Sequence, residues 1–445
     1  MRNSRADTRG ISGYGHLNLS AFFPLLVIAV IFGGGGVRYG LMNAAVQISA
    51  IFVLAFNSSR LIDFFLRAPR TLRILTALSF LLPLLQLLPL PPGLWSVLPG
   101  RELESQSLAL VNRSDHWMTW TVNPARTLVA FIGLLAPFTI LVTAYGQSRD
   151  FRHSAFKWIA ALGVINILVG AVQLASGRQL LNWYGGGNPD HLYGTFANHN
   201  SAGLFLVISL CALIGVRTDL TLSHRMIKAA LGILIVSGVF LTQSRSSIAL
   251  LVIPAFQLLL QYLHRSRDRI SIRSVAMTIA PVLLVLGGLG ALATGNSKVG
   301  DILHRFDDLK DGRPLIWQDT AVAIARYWPM GSGAGTFDEV FQIDESLENV
   351  NSHLAGRAHN DYLEILLENG IWGGILAIAW IIYALRLSIA HLYRFPLHLL
   401  APTGILIAIS MQSLLDYPLR NQAIMCLAAA MIALLATESE RSRER

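Results

Sequence analysis

The sequence has few charged residues and few cysteines. Only 14% of its 445 residues are charged, whereas a soluble globular protein has about 25%. The two cysteines, Cys211 and Cys426, both lie in apolar stretches. We therefore predict that they are packing residues, without a disulfide framework or a cysteine-based metal site. No small-residue cleavage site follows the first apolar run, so we expect that run to stay in place as a membrane anchor.

Long apolar runs replace the missing charge. Many are about 20 residues long, which is the length that crosses the roughly 30 Å hydrocarbon core of a bilayer. The pattern predicts an all-α polytopic membrane protein with about twelve transmembrane helices. The predicted spans are 17–36, 41–59, 71–90, 126–145, 155–176, 199–216, 226–243, 247–262, 273–294, 370–389, 398–415 and 420–437.

The distribution of charge predicts the orientation. If the N-terminus is cytoplasmic, most of the 35 basic residues lie inside and most of the 26 acidic residues lie outside. This agrees with the rule that cytoplasmic loops carry an excess of Lys and Arg. We expect both termini to be cytoplasmic. The net charge of +9 is then explained by topology, and no nucleic-acid partner is expected.

Two connections on the outer side are long, within what we interpret as one membrane domain over residues 1–445. Residues 91–125 begin with a proline cluster and carry tryptophans, which favours an interfacial segment; these are Trp95, Trp117 and Trp120. Residues 295–369 predict a large helical loop. Its expected helices are Val299–Leu309 and Leu315–Arg326, followed by a glycine-rich turn at 331–335.

Four polar stretches are the candidate site, and all face outside in this topology. They are "GTFANHNSAG" (194–203), "TQSRSSIAL" (242–250), "GRPLIWQD" (312–319) and "AHNDYLEILLENG" (358–370).

Two of these stretches contain an arginine suited to an anion. Arg245 lies in a very short turn between two spans, where a guanidinium is costly and often functional. It could instead extend to the lipid headgroups. Arg313 precedes Trp317 by four residues and could be a solvated loop residue. A guanidinium offers a fixed fork of donors that suits phosphate oxygens.

His359 begins the last stretch, directly before an apolar helix. A neutral imidazole is a common general base near pH 7, although a histidine at a helix start is often a surface or capping residue. Asp361 and Glu364 are close enough along the chain to orient it, and Asn360 shares a helical face with Glu364. This cluster would lie just above the bilayer, where a lipid-linked substrate presents its headgroup.

The remaining polar groups have simpler alternatives. Asn198 and Asn200 open the sixth span and either cap that helix or contact a sugar or diphosphate. Asp416 and Arg420 are expected to form a local ion pair in a tight turn. Three acids in the outer loop have no strong metal-ligand spacing, so no metal site is predicted; they are Asp307, Asp308 and Asp311.

Together, "GTFANHNSAG", "TQSRSS", "GSGAGTF" and "HNDYLEILLENGIWG" resemble the O-antigen ligase and polymerase family of bacterial membrane glycosyltransferases. The resemblance extends over residues 194–437. It implies a fold of the glycosyltransferase C superfamily type, in the bacterial inner membrane, with the active site facing the periplasm.

The resemblance also implies a reaction. The donor would be a glycan on undecaprenyl diphosphate, and the acceptor a sugar hydroxyl on lipid A–core or on another lipid-linked repeat. His359 would be the catalytic histidine, with Arg245 and Arg313 binding the diphosphate. Asn198, Asn200, Asn360, Asp361 and Glu364 would support the site or contact substrate. Transfer would invert the anomeric centre and need neither a metal nor another cofactor.

Ligase and polymerase members share these motifs, so the sequence leaves the acceptor open. Two alternatives also remain open, a protein O-oligosaccharyltransferase and a flippase for the lipid-linked glycan. A flippase would be expected to have ionisable residues near the middle of its spans and repeated halves. The predicted spans are nearly free of charge, and no repeat is visible.

Overall fold

The computed structural model describes most of the chain, namely residues 15–36, 38–217, 221–265, 312–348, 356–392 and 399–443. Two predicted features lie outside the described residues, the ninth span at 273–294 and the loop helix Val299–Leu309. About 75% of the structure is helical, with almost no β-structure among the described residues.

The helices are numbered in chain order. In the first half they are α1 (Gly15–Phe32), α2 (Gly40–Phe56), α3 (Ser58–Arg67), α4 (Arg70–Gln86), α5 (Pro92–Trp95), α6 (Glu102–Leu110), α7 (Pro124–Gly133), α8 (Leu135–Ala144) and α9 (Arg149–Ala175). In the second half they are α10 (His199–Gly215), α11 (Leu222–Leu241), α12 (Arg245–Leu250), α13 (Val252–Arg265), α14 (Arg313–Tyr327), α15 (Phe337–Asp344), α16 (Asp361–Leu392), α17 (Leu400–Gln412) and α18 (Gln422–Arg443).

The all-α membrane class is confirmed, but a count of twelve transmembrane helices is not. Among the described residues, six helical stretches are long and apolar enough to cross a membrane. A seventh would be α2 with α3, if that pair, bent by 80°, counts as one span. Several other predicted spans coincide with shorter apolar helices, including α10 and α17.

Helix α10 is the centre of the bundle. It packs against α9, α11, α13 and α17, and almost every residue along it is buried. Small residues permit this close packing, as in other membrane helices. A Cβ added to Gly163 of α9 would lie 2.4 Å from the Cβ of Ser209 of α10. Because α10 packs against four other helices, we expect the position of its first residues to be well defined.

The first outer connection folds back on itself. Residues Pro89–Leu90 and Met118–Thr119 form a short antiparallel ribbon, the β-structure found in the described chain. Trp95 is buried inside this loop and donates to the backbone oxygen of His116 at 2.8 Å, whereas Trp117 is 61% exposed. Trp95 is therefore a core residue of the loop, and the interfacial position of the whole segment stays a prediction.

The described part of the second outer loop packs on the beginning of α16. Helix α14 confirms the expected helix at Leu315–Arg326. Together α14, α15 and α16 enclose a small apolar core, formed by Ala323, Tyr327, Phe337, Val340, Phe341, Ala358 and Leu367.

The glycine-rich turn fixes a kink in α16. Gly370 has φ 55° and ψ −147° inside that helix, a conformation that essentially only glycine adopts. The backbone N–H of Gly333 donates to the oxygen of Glu368 at 2.8 Å, and that of Ile371 donates to Pro329 at 3.0 Å. The segment around the turn therefore pairs with backbone groups of α16 next to the kink.

We expect Gly370→Ala to destabilise the protein. The new Cβ would lie 2.0 Å from the backbone oxygen of Pro329, and the positive φ would be strained, so we expect the free energy of unfolding to fall by at least about 2 kcal/mol. Gly232→Ala is the matched control, because a Cβ there meets its nearest atom at 3.9 Å. Detergent-induced unfolding measures both. Equal stability of the two variants would contradict the role given to the kink.

Candidate active site

His359 lies at the junction between the outer loop and α16. Its φ is 50°, which is uncommon for a residue other than glycine. The ring packs edge-on against Tyr417 with centroids 5.0 Å apart, and its Nδ1 lies 3.1 Å from Oδ1 of Asp416. The side chain is 32% exposed. The histidine is thus held by a buried carboxylate while part of its ring remains accessible.

Asp416 links His359 to the start of α10. Its other oxygen, Oδ2, accepts from Nδ2 of Asn198 at 3.3 Å. Burial alone would raise the pKa of Asp416, but the hydrogen bond and charge of His359 and the charge of Arg313 together lower it below its usual value. The side chain is therefore a carboxylate at neutral pH, and this is the form that accepts both hydrogen bonds.

Asn198 confirms the first of its two predicted alternatives, a helix cap, whereas contact with a sugar or diphosphate stays a prediction. Its Oδ1 accepts from the backbone N–H of Asn200 at 2.8 Å and so caps α10, while its Nδ2 reaches Asp416. Asn200 is buried, and its backbone oxygen accepts from the hydroxyl of Ser247 at 3.3 Å. Asn198 therefore contacts the carboxylate partner of His359, Asn200 contacts the turn at Ser247 through its backbone, and their support of the site stays a prediction.

The turn that carries Arg245 also packs on the start of α10. The Nδ1 of His199 lies 3.0 Å from the backbone oxygen of Thr242, and the Oγ of Ser244 accepts from the N–H of Ser247 at 3.3 Å, which caps α12. Arg245 is the first residue of α12. Its turn therefore packs on the same helix start as the His359 site, but Arg245 is not among the described residues that line the cavity at His359.

Arg313 lies near Asp416, the partner of His359. It begins α14, and its guanidinium is close enough for its charge to act on Asp416. One helical turn later, Nε1 of Trp317 donates to the backbone oxygen of Ala358 at 2.8 Å. The four-residue spacing of Arg313 and Trp317 thus has a structural reason. The tryptophan holds the residue before His359, and the arginine approaches its carboxylate partner.

Behind His359 lies a buried ion cluster. The guanidinium of Arg420 lies 2.7 Å from Glu368, 3.2 Å from Glu364 and 3.7 Å from Asp361. The side chains of all three carboxylates are at most 1% exposed. Arg357 adds a second guanidinium, 3.1 Å from Glu364. Buried charges of this kind are stable only when they are paired.

This cluster corrects two details of the sequence interpretation. The expected local ion pair of Asp416 with Arg420 is wrong, because Asp416 pairs with His359 and Arg420 with the α16 carboxylates. Glu364 also accepts from the N–H of Ala358 at 3.0 Å. Glu364 and Asp361 therefore hold the backbone and Arg420, and the carboxylate that contacts the His359 ring is that of Asp416. The tight turn joins elements distant in sequence, which local spacing cannot reveal.

Asn360 acts as a helix cap. Its Oδ1 accepts from the N–H groups of Tyr362 at 3.0 Å and Leu363 at 3.2 Å, while its Nδ2 donates to the backbone oxygen of Leu414 at 3.1 Å. It orients the start of α16 next to the turn after α17, which in turn sets the distance from His359 to Asp416.

His359 opens into a cavity of about 590 Å³, which we call the polar chamber. Its described lining includes four arginines, one aspartate and three successive glycines, besides His359, Asn198 and Tyr417. The charged lining residues are Arg38, Arg126, Arg357, Arg420 and Asp338. Arg126 is 40% exposed and lies 2.6 Å from Glu339. The chamber is thus lined by guanidinium groups, whose planar fork suits phosphate oxygens, although three of them, Arg126, Arg357 and Arg420, are already paired with carboxylates.

A second cavity of about 300 Å³ adjoins the polar chamber. We call it the apolar groove, because aliphatic and aromatic side chains of α4, α7, α16 and α18 form much of its wall. Three residues line both cavities, Arg126, Gly335 and Arg420. The groove runs along membrane-length helices, so the two cavities together suit a ligand with an anionic head and an apolar tail.

Residues 229–378 match the family model described as O-antigen ligase. This part of the chain is similar to O-antigen ligases, which supports the family. A comparison with curated proteins finds no match for the chain. The matched region contains Arg245, Arg313 and His359, so the predicted resemblance is confirmed where its most specific motif lies. The family assigns a membrane glycan-processing function, of the ligase or polymerase kind.

The matched region is completed by residues outside it. Asn198 precedes it, whereas Asp416 and Arg420 follow it, and all three contact or adjoin its key side chains. Arg126 and Arg38 were not singled out from the sequence, since neither belongs to a motif. Arg357 was also missed, although its place two residues before His359 was a usable signal. In the described ranges, no group of three or more His, Cys, Asp or Glu could hold a metal; Asp307, Asp308 and Asp311 lie outside them.

Proposed function

We propose that the protein transfers a glycan from undecaprenyl diphosphate to a sugar hydroxyl on the periplasmic side of the bacterial inner membrane. The observation that carries this proposal is the His359–Asp416 pair, which opens into an arginine-lined chamber continuous with an apolar groove. A region similar to O-antigen ligases, a candidate base, an arginine-lined chamber and an apolar groove meet there. Both termini would then be cytoplasmic, as the distribution of basic residues predicts.

His359 is the proposed general base. Asp416 is ionised and accepts from Nδ1–H, which places the proton on Nδ1 and leaves Nε2 with its lone pair. Nε2 takes the proton of the acceptor hydroxyl while its oxygen attacks the anomeric carbon of the donor. The bond from that carbon to the diphosphate oxygen breaks, and the diphosphate leaves with the electron pair. Asp416 stabilises the imidazolium that forms. Attack opposite the leaving group inverts the anomeric centre.

Arginines are the proposed partners of the diphosphate. Negative charge gathers on the leaving group as the glycosidic bond breaks, and cations already in position stabilise it. Arg313 is supported by its effect on Asp416, and Arg245 by the packing of its turn on the start of α10. Arg126 and Arg38 line the polar chamber and are additional candidates. With this charge available, we propose that the reaction does not use a metal.

The apolar groove supports a lipid-linked donor. Leu82, Val129 and Leu376 line it on different helices, and Arg126 and Arg420 stand where it meets the polar chamber. The first isoprene units would occupy the groove and the diphosphate would lie at its charged end. A donor with a free nucleotide would leave this groove unused.

A deletion strain tests the proposal. Its lipopolysaccharide and secreted polysaccharide would be separated by size, and its undecaprenyl diphosphate-linked glycans analysed by mass spectrometry. Single repeats accumulating on the carrier, with long chains lost, would assign a polymerase. Long lipid-linked chains with bare lipid A–core would assign a ligase. Unchanged glycan pools in a strain without any second copy would contradict the proposed transferase.

A further inference from the structure

A third cavity lies at the opposite end of α10 from His359. It has a volume of about 350 Å³ and opens between α9 and α11, with the last residues of α10 as its floor. Helix α10 has 17 residues and is therefore about 25 Å long. Since the candidate active site lies at its first residues, this cavity is at the other face of the membrane.

Cations surround the mouth of this cavity. Its lining includes Lys157 of α9, Arg217 after α10, and His224 and Lys228 of α11, and no Asp or Glu is among its described lining residues. Lys228 donates to the backbone oxygens of Ile214 at 3.1 Å and Val216 at 2.7 Å. It thus holds the end of α10 and keeps its charge at the mouth.

The charges lie close to one another. His153 accepts a hydrogen bond from the backbone N–H of Arg217 at 3.3 Å. The charges of Lys157, Arg217 and Lys228 all act on the His153 ring, and Asp150 is the one carboxylate among the described groups that do so. These side chains therefore concentrate positive charge at one point and do not simply scatter it over the surface.

The cavity becomes apolar towards the middle of the membrane. Ala160 and Val164 continue it along α9, and Leu231 and Ile235 continue it along α11. Val164 is seven residues beyond Lys157, and Ile235 is seven beyond Lys228. Each wall is therefore about 10 Å long from its charged end to its apolar end.

We propose that this cavity binds an anionic phospholipid, with its phosphate among Lys157, Arg217, His224 and Lys228 and part of an acyl chain between α9 and α11. Basic pockets between membrane helices recognise anionic headgroups by the same chemistry. The apolar walls favour a lipid over a free anion, because inorganic phosphate would leave them exposed to water. The bound lipid would fill the cleft at the far end of α10, the helix that Asn198 caps.

Native mass spectrometry of the purified full-length protein tests this site. Phosphatidylglycerol and phosphatidylethanolamine with identical acyl chains would compete for the protein. We expect a clear preference for phosphatidylglycerol. We also expect the double substitution Lys157→Gln, Arg217→Gln to weaken its binding about 25-fold, since each basic residue near an anionic headgroup contributes about fivefold. Arg225→Gln is the matched control, because Arg225 is on the same turn of α11 but does not line the cavity; it should bind as the wild type does.

Several results would overturn the proposal. One is equal binding of the two lipids to the wild-type protein, a comparison that remains decisive if the double variant does not fold. Another is an equal loss in the Arg225→Gln control, which would indicate general surface charge. A third is displacement of phosphatidylglycerol by millimolar inorganic phosphate, which would indicate an anion site without a lipid.

Discussion

Replacing His359 by alanine is expected to reduce glycan transfer about 1,000-fold without changing the amount of protein in the membrane. A positioned general base contributes roughly 10²- to 10⁴-fold, and no other described histidine lies against Asp416. The measurement is transfer in vitro by purified protein, from a lipid-linked donor to a sugar acceptor. His116→Ala is the matched control, because His116 is an exposed histidine of the first outer loop, and it should transfer normally.

The partner variant Asp416→Asn separates a base from a structural histidine. One oxygen of Asp416 accepts from His359 and the other from Asn198, but an amide has only one acceptor oxygen. If its NH₂ group faces His359, Nδ1 becomes the acceptor and Nε2 carries the proton, so the base is lost. We expect at least about 100-fold slower transfer by a folded protein. Normal transfer by either variant at normal abundance would contradict the proposed mechanism.

Replacing Arg420 by methionine is expected to destabilise the protein more than Gly370→Ala does. The change would leave Asp361, Glu364 and Glu368 buried, with Arg357 as the remaining described cation that contacts one of them. Removing one partner of a buried ion pair costs about 3–5 kcal/mol, because the other charge stays buried and unpaired. Unfolding of the protein in mixed micelles by increasing amounts of a denaturing detergent measures this loss.

Arg67→Met is the matched control for this substitution. Arg67 also pairs with a carboxylate, Asp63 at 3.4 Å, but its side chain is 77% exposed, and surface pairs contribute only about 0–1 kcal/mol. Arg420→Lys should be intermediate, since lysine keeps the charge but cannot reach three carboxylates with one planar fork. If Arg420→Met were as stable as Arg67→Met, the cluster would not be a principal support of the site.

The effects of His359→Ala and Arg420→Met have different origins, although the two residues are close together in the structure. His359 and Asp416 face the polar chamber, so their substitution should change the rate more than the stability. Arg420 lies behind them, and its substitution should release α16 from the turn after α17. That release would also move Asp416 away from His359. Activity lost together with stability is therefore expected for Arg420→Met, and activity lost alone for His359→Ala.

The sequence predicted the helical elements well for a physical reason. A membrane helix satisfies its own backbone hydrogen bonds and must be apolar over its whole length, so span positions can be read from composition. Most predicted spans in the described ranges coincide with helices. The count could not be fixed in this way, because α10 is enclosed by other helices and does not need the full length of a lipid-facing span.

The sequence by itself determined the class of protein, the O-antigen ligase resemblance and the choice of His359, because these depend on hydropathy and on contiguous motifs. Only the tertiary structure decided which groups serve His359. Asp416 is 57 positions away, and Arg420 crosses a tight turn to reach α16, so neither pairing follows from sequence spacing. Such contacts depend on how the helices pack around α10, and that packing is a property of the whole bundle.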